Sequence, residues 1–306
     1  MKKVTVFAPA TIANLGCGFD VMGMALDEVG DILEMSAEEG DGISIVNSCE
    51  VPLPNDIEKN VITPVIRSFL AKLGRNAHIN VDVKKKIFPG SGIGSSAASS
   101  AAAAYGMNEL FERPFSVEEL VEFAMEGERL ACGSAHADNA APAVMGGAIL
   151  VRGYNPLDII QLPVPDNFYC SVVHPHIVVT TKESRSVLPN QIPLSTAITQ
   201  WGNLGGLVAG FYKSDVKLIG RAMKEVVAEP HRKQFIPGFD ALKEKLLAEG
   251  ALCMNISGSG PSVFALSEDK KAAEKIGEIM KLHLKEQGID SNIYVMKVSD
   301  KGAKTI

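Results

Sequence analysis

Apolar and polar residues alternate with a period of two over residues 3–8, 31–38, 42–48 and 78–87, the pattern of strands that bury one face. Helices are read over 60–74, 95–111 and 116–130 from apolar residues recurring at helical spacing and from the flanking cap residues. Strands come in runs ahead of the helices, so this half is α+β and not a βαβ alternation. The second half reads as a strand at 168–174, helical stretches at 194–226 and 238–249, strands at 251–257 and 262–267, a helix at 269–287 and a strand at 291–298. That order approximates βαββαβ, the split unit of ferredoxin-like domains. The proline-rich stretch 156–165 is read as the hinge, which divides the chain into 1–160 and 161–306.

A length of 306 residues suits two domains or one large one, and 46% hydrophobic with 22% charged residues is globular composition. The net charge of -6 leaves no basic footprint for nucleic acid, so an anionic ligand must be met by local groups. Five cysteines, at 17, 49, 132, 170 and 253, are odd in number, widely spaced and without a Cys-x-x-Cys pair; they suggest a reduced cytoplasmic protein and no zinc site. The Lys2-Lys3 start imitates a signal peptide, but the alternation of Val4 and Val6, broken by Pro9, Thr11 and Asn14, reads as a first strand. No uninterrupted apolar run approaches the ~18 residues of a membrane span.

Residues 89–99 read Pro-Gly-Ser-Gly-Ile-Gly-Ser-Ser-Ala-Ala-Ser and run into an alanine-rich helix. Glycines tolerate positive φ and let the backbone approach a bulky anion, while the unpaired first-turn amides of a helix favour negative charge. Ser95 or Ser96 is expected to cap that helix. The common nucleoside-triphosphate loop is excluded, because Gly-Lys-Ser and Gly-Lys-Thr are absent. A dinucleotide fingerprint fits poorly: the preceding strand alternates like a half-exposed antiparallel strand, and Glu112 falls at a helix end. A plain capping turn is the bland reading of this segment.

Three further segments carry candidate chemistry. Residues 9–20 form a polar, glycine-punctuated loop with Asn14 and Asp20, which reads as an Asx-type turn or as part of a site. Glu126 and Glu128, followed by His136, Asp138 and Asn139, form a second polar cluster; no further His or Cys stands at metal-ligand spacing, so capping and buried hydrogen bonding are the default. Residues 257–262, Ser-Gly-Ser-Gly-Pro-Ser, join two strands, either as a hairpin turn or as a close approach to a ligand.

Taken in order, these segments resemble the signature motifs of the GHMP small-molecule kinases, and their wording is similar to the homoserine kinase branch: 9–23, 92–98, 136–143 and 257–262 all match. The resemblance implies a ribosomal-S5-like N-terminal domain that binds ATP and a ferredoxin-like C-terminal domain. It implies transfer of a phosphoryl group from ATP to the hydroxyl of L-homoserine on the route to threonine, with Mg²⁺. By resemblance Asn60 and Val61 lie near the adenine, and Pro89, Gly90, Ser91, Gly92, Ile93, Gly94, Ser95, Ser96, Ala97, Ala98 and Ser99 surround the phosphates. Ser96, or Ser95 in a shifted register, and Glu128 would hold Mg²⁺. Asn14, Asp20, His136, Asn139, Thr181 and Gly258 would line the acceptor site, with Arg185 and Arg232 on its carboxylate; without the resemblance both arginines read as surface residues. Relatives carry an aspartate base where this chain has Asn139, so either Asp20 acts as base or no base is used. The rival readings are a mevalonate kinase-like enzyme and a non-catalytic nucleotide-binding protein. A homodimer through faces of 194–226 follows the family's habit.

Overall fold

The computed structural model describes residues 2–49, 53, 56–84, 87–133 and 135–306. In chain order the first part holds β1 (Lys3–Ala13), β2 (Met22–Glu38), β3 (Gly42–Asn47), α1 (Ile62–Leu73), β4 (His78–Lys84), α2 (Ser95–Leu110), α3 (Val117–Cys132), α4 (Ala137–Met145), β5 (Ala148–Tyr154) and β6 (Leu157–Leu162). Then come β7 (Tyr169–Pro175), α5 (Thr181–Ser186), α6 (Leu194–Lys213), α7 (Val216–Ala222), α8 (Glu229–Arg232), α9 (Phe239–Ala248), β8 (Cys253–Ile256), β9 (Val263–Ser267), α10 (Lys270–Glu286), β10 (Ser291–Lys297) and β11 (Lys304–Thr305).

One sheet runs β11-β1-β2-β4-β3, with β5 paired to β2 and β6 to β5; among the described residues only β3 and β4 pair in parallel. The second sheet has the order β10-β7-β9-β8, all antiparallel, the arrangement of a ferredoxin-like βαββαβ unit. The α+β class is therefore observed. Helices α1 to α4 cover the first sheet around Leu33, Phe69, Ile79 and Met107. Helices α9 and α10 cover the outer face of the second sheet around Leu242, Met254 and Met280. A third apolar cluster joins the halves: Ile12, Leu15 and Met24 from the β1–β2 region meet Phe168, Phe211, Ile219 and Phe264. A continuous core of that kind fixes the two halves against each other, so residues distant in sequence are held in register.

Several expectations need correction. The strand expected at 31–38 begins at Met22, because residues 22–26 are buried on both faces and show no alternation. Gly23 belongs to this strand: a Cβ there would lie 1.7 Å from the Asp138 carbonyl oxygen, so glycine is what lets α4 pack on β2. The proposed hinge at 156–165 is largely β6, with the turn at Asn155 and Pro156, and residues 160 and 161 both lie in that strand. The helical stretch 194–226 is split at Ser214, a left-handed residue with φ of 51° that caps α6. Of the strand expected at 78–87, β4 covers 78–84, and Lys85 and Lys86 lie outside the described residues. Among the described residues no helix is long and apolar enough to cross a membrane.

Candidate active site

The glycine-rich loop enters α2 along the seam between the two sheets. Gly90, Gly92 and Gly94 have φ of 77°, 72° and 69°, the left-handed region that costs an L-residue with a side chain about 1 kcal/mol or more. At Gly94 space is decisive as well, since a Cβ would stand 1.9 Å from Thr11 Oγ1. The N-cap of α2 is Gly94 itself with no side-chain cap, which corrects the serine expectation. Ser95 Oγ donates instead to the Ile87 carbonyl at 3.3 Å. The first intrahelical bond at this end runs from Ala98 N to Gly94 O, so the first-turn amides are left for a ligand.

A cavity of about 490 Å³ opens over this helix end. It is bordered by Asn60 and Val61 at one side, by Pro89, Gly90, Gly92, Gly94, Ser95, Ser96 and Ser99 along the loop, and by Glu128, Asn139, Thr181 and Gly258. Of the expected phosphate-loop residues, Ser91, Ile93, Ala97 and Ala98 do not border it; the last three are fully buried in the apolar clusters, so only their backbone can meet a ligand. The Ser99 hydroxyl is held by Asp31 Oδ2 at 2.7 Å, a partner that sequence reading missed. Asn60 caps the first turn of α1 by accepting from Ile62 N at 3.0 Å.

Asp20, His136, Arg185, Arg232 and Asn14 do not border this cavity; they gather beside it, Asn14 and Arg232 lining a small neighbouring cavity that shares Gly258 with the large one. Arg185 donates to both Asp20 oxygens, at 3.0 and 3.1 Å, and to His136 Nε2 at 3.0 Å. A guanidinium only donates, so Nε2 accepts and His136 is neutral with its proton on Nδ1. Burial, then the charge of Arg185, hold His136 below the usual imidazole range against the opposing pull of Asp20. Arg232 is 5% exposed, which removes the surface reading; Nε donates to the Ser184 carbonyl at 3.2 Å and Nη1 to the Gly258 carbonyl at 2.9 Å. Burial and the neighbouring Arg185 push its pKa down to about 10. Both guanidiniums face the Phe19 ring, with centroid distances of 5.9 and 4.8 Å. Asn14 accepts from Asp20 N at 3.0 Å and donates to Gly258 O at 2.9 Å, so the Asx-type turn and the site are the same object.

Asn139 and Glu128 border the cavity over the loop. Thr11 Oγ1 donates to Asn139 Oδ1 at 2.7 Å, which leaves the amide NH₂ as the group Asn139 can offer a ligand. Asp138 is fully buried, and its carboxyl is pushed up to about 7 by burial and then by the charges of Asp20 and Glu128. Thr11, Phe19, Asp31 and Asp138 thus belong to the site or its support. Thr11 and Phe19 carried a sequence signal through the 9–20 motif and Asp138 through the second polar cluster; Asp31 carried none. Among the described residues no three His, Cys, Asp or Glu side chains cluster as a metal centre. One buried carboxylate beside serine hydroxyls suits Mg²⁺, which takes one or two protein oxygens and completes its shell with phosphate and water.

A two-domain α+β fold with a phosphate-type loop facing an arginine-lined pocket defines an ATP-dependent small-molecule phosphotransferase. The family model described as GHMP kinases N terminal domain matches residues 60–147, and the one described as GHMP kinases C terminal matches 207–286. The homoserine kinase of Chlorobium phaeobacteroides strain BS1 is 48% identical over all of both chains. That of Methanococcus maripaludis strain C5 is 40% identical over 87% of this chain and 88% of its own. The crystal structure of homoserine kinase from Cytophaga hutchinsonii superposes with a TM-score of 0.95 at 49% identity, covering 100% of this chain and 98% of the other. The chain belongs to the homoserine kinase family of GHMP kinases.

Proposed function

We propose that the protein transfers the γ-phosphoryl group of ATP to the side-chain hydroxyl of L-homoserine, giving O-phospho-L-homoserine for threonine biosynthesis. The observation that carries the acceptor is the pairing of buried Arg232 with the more exposed Arg185 on the Phe19 ring, next to Asp20. Two adjoining guanidiniums repel, and a substrate carboxylate relieves that repulsion through parallel hydrogen bonds. Asp20 supplies the opposite charge that an ammonium needs. An acceptor that carries an ammonium and a carboxylate on one carbon, an amino acid, fits this pair of groups better than a carboxylate alone.

On the nucleotide side, the loop 89–99 and the open amides of α2 cradle the phosphates, and Asn60 and Val61 border the base. Mg²⁺ held by Ser96 and Glu128 would supply positive charge against the phosphate oxygens. No side chain is assigned as general base. Asn139 offers an N–H donor, and both Asp20 oxygens are engaged by Arg185. Positioning and electrostatics suffice for a loose phosphoryl-transfer transition state.

Two finer points complete the reading. Leu194, Ile198 and Trp201 form an exposed apolar stripe on α6, 69%, 52% and 56% accessible, which supports a homodimer to be checked by sedimentation. Cys17, Cys170 and Cys253 are buried thiols outside any disulfide, which suits the cytoplasm. The direct test of function is ADP release, coupled to a dehydrogenase, with homoserine, mevalonate or no acceptor. Homoserine alone should stimulate release strongly; equal rates with mevalonate, or full turnover without acceptor, would refute the assignment.

A further inference from the structure

The turn 257–262 between β8 and β9 touches both ends of the site. Ser257 Oγ donates to the Gly92 carbonyl at 2.5 Å, and Ser262 Oγ donates to the Ser91 carbonyl. Both serines are fully buried, and Ser257 N closes the turn on Ser262 O at 2.9 Å. Because peptide units are trans and planar, a carbonyl pulled toward one side turns the following N–H to the other. The two serines therefore set the direction of the Gly92 and Ile93 amides in the phosphate loop. The approach is close: a Cβ on Gly92 would lie 3.1 Å from the Ser257 carbonyl oxygen. The next residue of the same turn, Gly258, presents its carbonyl to Asn14 Nδ2 and Arg232 Nη1, each at 2.9 Å. Gly258 borders both the large cavity and a small one lined by Asn14, Phe19 and Arg232.

We propose that Ser257 and Ser262 are positioning residues which clamp the phosphate loop, and that their turn couples nucleotide binding to homoserine binding through Gly258 and Arg232. This rests on reading 89–99 as the triphosphate loop and Arg232 as an acceptor group. A loop ordered by nucleotide holds the turn, and the turn holds Arg232. By thermodynamic reciprocity the two ligands then raise each other's affinity by one common factor.

The test is calorimetric titration of homoserine and of a non-hydrolysable ATP analogue with Mg²⁺, each alone and in the presence of the other. The wild-type protein should bind homoserine several-fold more tightly with the analogue present. Ser257→Ala and Ser262→Ala should each weaken the analogue about fivefold, the worth of one neutral hydrogen bond. They should leave homoserine binding without nucleotide within about twofold, the scatter expected of a contact not made to that ligand, and reduce the coupling factor toward one. Ser262→Thr, which keeps the hydroxyl, should restore both; a merely structural role would lower the melting temperature and leave the coupling unchanged. Should an alanine variant not fold, Ser262→Cys, similar in size but a weak donor, carries the same expectation. Coupling retained in the alanine or cysteine variants overturns the proposal alone. No homoserine binding to wild-type protein under either condition overturns the acceptor assignment and this proposal with it.

Discussion

Replacing Arg232 by lysine keeps the charge and removes the fork. The guanidinium has five N–H donors, of which Nε is held by the Ser184 carbonyl and one on Nη1 by the Gly258 carbonyl, so three remain for a substrate carboxylate. A lysine ammonium has three donors on one atom. If it keeps one carbonyl it cannot also give a carboxylate two parallel bonds, and at least one charge-assisted hydrogen bond is lost. Such bonds are worth about 1.5–3 kcal/mol, which corresponds to roughly 10- to 150-fold in kcat/KM for homoserine. The KM for ATP should rise by no more than the several-fold coupling between the two ligands, because Arg232 does not border the large cavity. The Ser184 carbonyl also loses its donor, at a cost to stability of about 1–3 kcal/mol, so the melting temperature should fall and the kinetics must be read well below it. Steady-state kinetics with each substrate varied in turn decides the matter. A raised KM for ATP with unchanged homoserine kinetics would refute the carboxylate assignment.

Glu128→Gln removes a charge that would oppose Mg²⁺ and should lower kcat by a factor on the order of 10² or more with the fold intact; near-normal turnover at saturating magnesium would reject that ligand. Asn139→Asp should lower kcat and add no new rising limb to the pH–rate profile between about pH 4 and 7, whereas a gain with such a limb would mean that proton removal limits the native enzyme. Asp138, pushed up to about 7, keeps its proton longer in the folded than in the unfolded chain, so its favourable contribution is complete below about pH 4 and is lost as pH rises through 7. Asp138→Asn, neutral throughout, should therefore melt above the wild type at pH 8 and close to it at pH 4; an equal gap at both would show that the carboxyl does not titrate in that window.

What could be read from the sequence follows from where one face is buried. Strand β4 alternates because α1 and α2 cover one side and solvent the other. Residues 22–26 of β2 are packed on both sides, and no period survives. The hairpin of β5 and β6 was hidden by Pro156, Pro163 and Pro165, which punctuate a strand end as readily as a linker. The glycine loop was legible because positive φ and the contact with Thr11 demand glycine itself. The charge network was not, apart from the family resemblance. Asp20, His136 and Arg185 are separated by up to 165 positions and meet only because the apolar seam holds the two sheets together. The burial of Arg232 runs against its residue type, and nothing local encodes it.

The electrostatics of this seam also account for an amide at position 139. Asp20 and Glu128 both act on Asp138, and with burial they hold that carboxyl largely protonated toward neutral pH. A second carboxylate on the adjoining residue would enter the same field, and a bound triphosphate would add further negative charge to it. Coulomb repulsion at an effective dielectric near 20 amounts to about 4 kcal/mol for unit charges 4 Å apart, comparable with the ~10²- to 10⁴-fold that a general base contributes. An acid placed there would thus either take up a proton and cease to be a base, or stay charged and oppose the phosphoryl group. The Thr11 hydroxyl selects the remaining option by occupying Asn139 Oδ1, so that the amide turns its donor side toward the ligand. On the proposed reading, Asn139 would give the transition state a hydrogen bond where a base would cost it a repulsion.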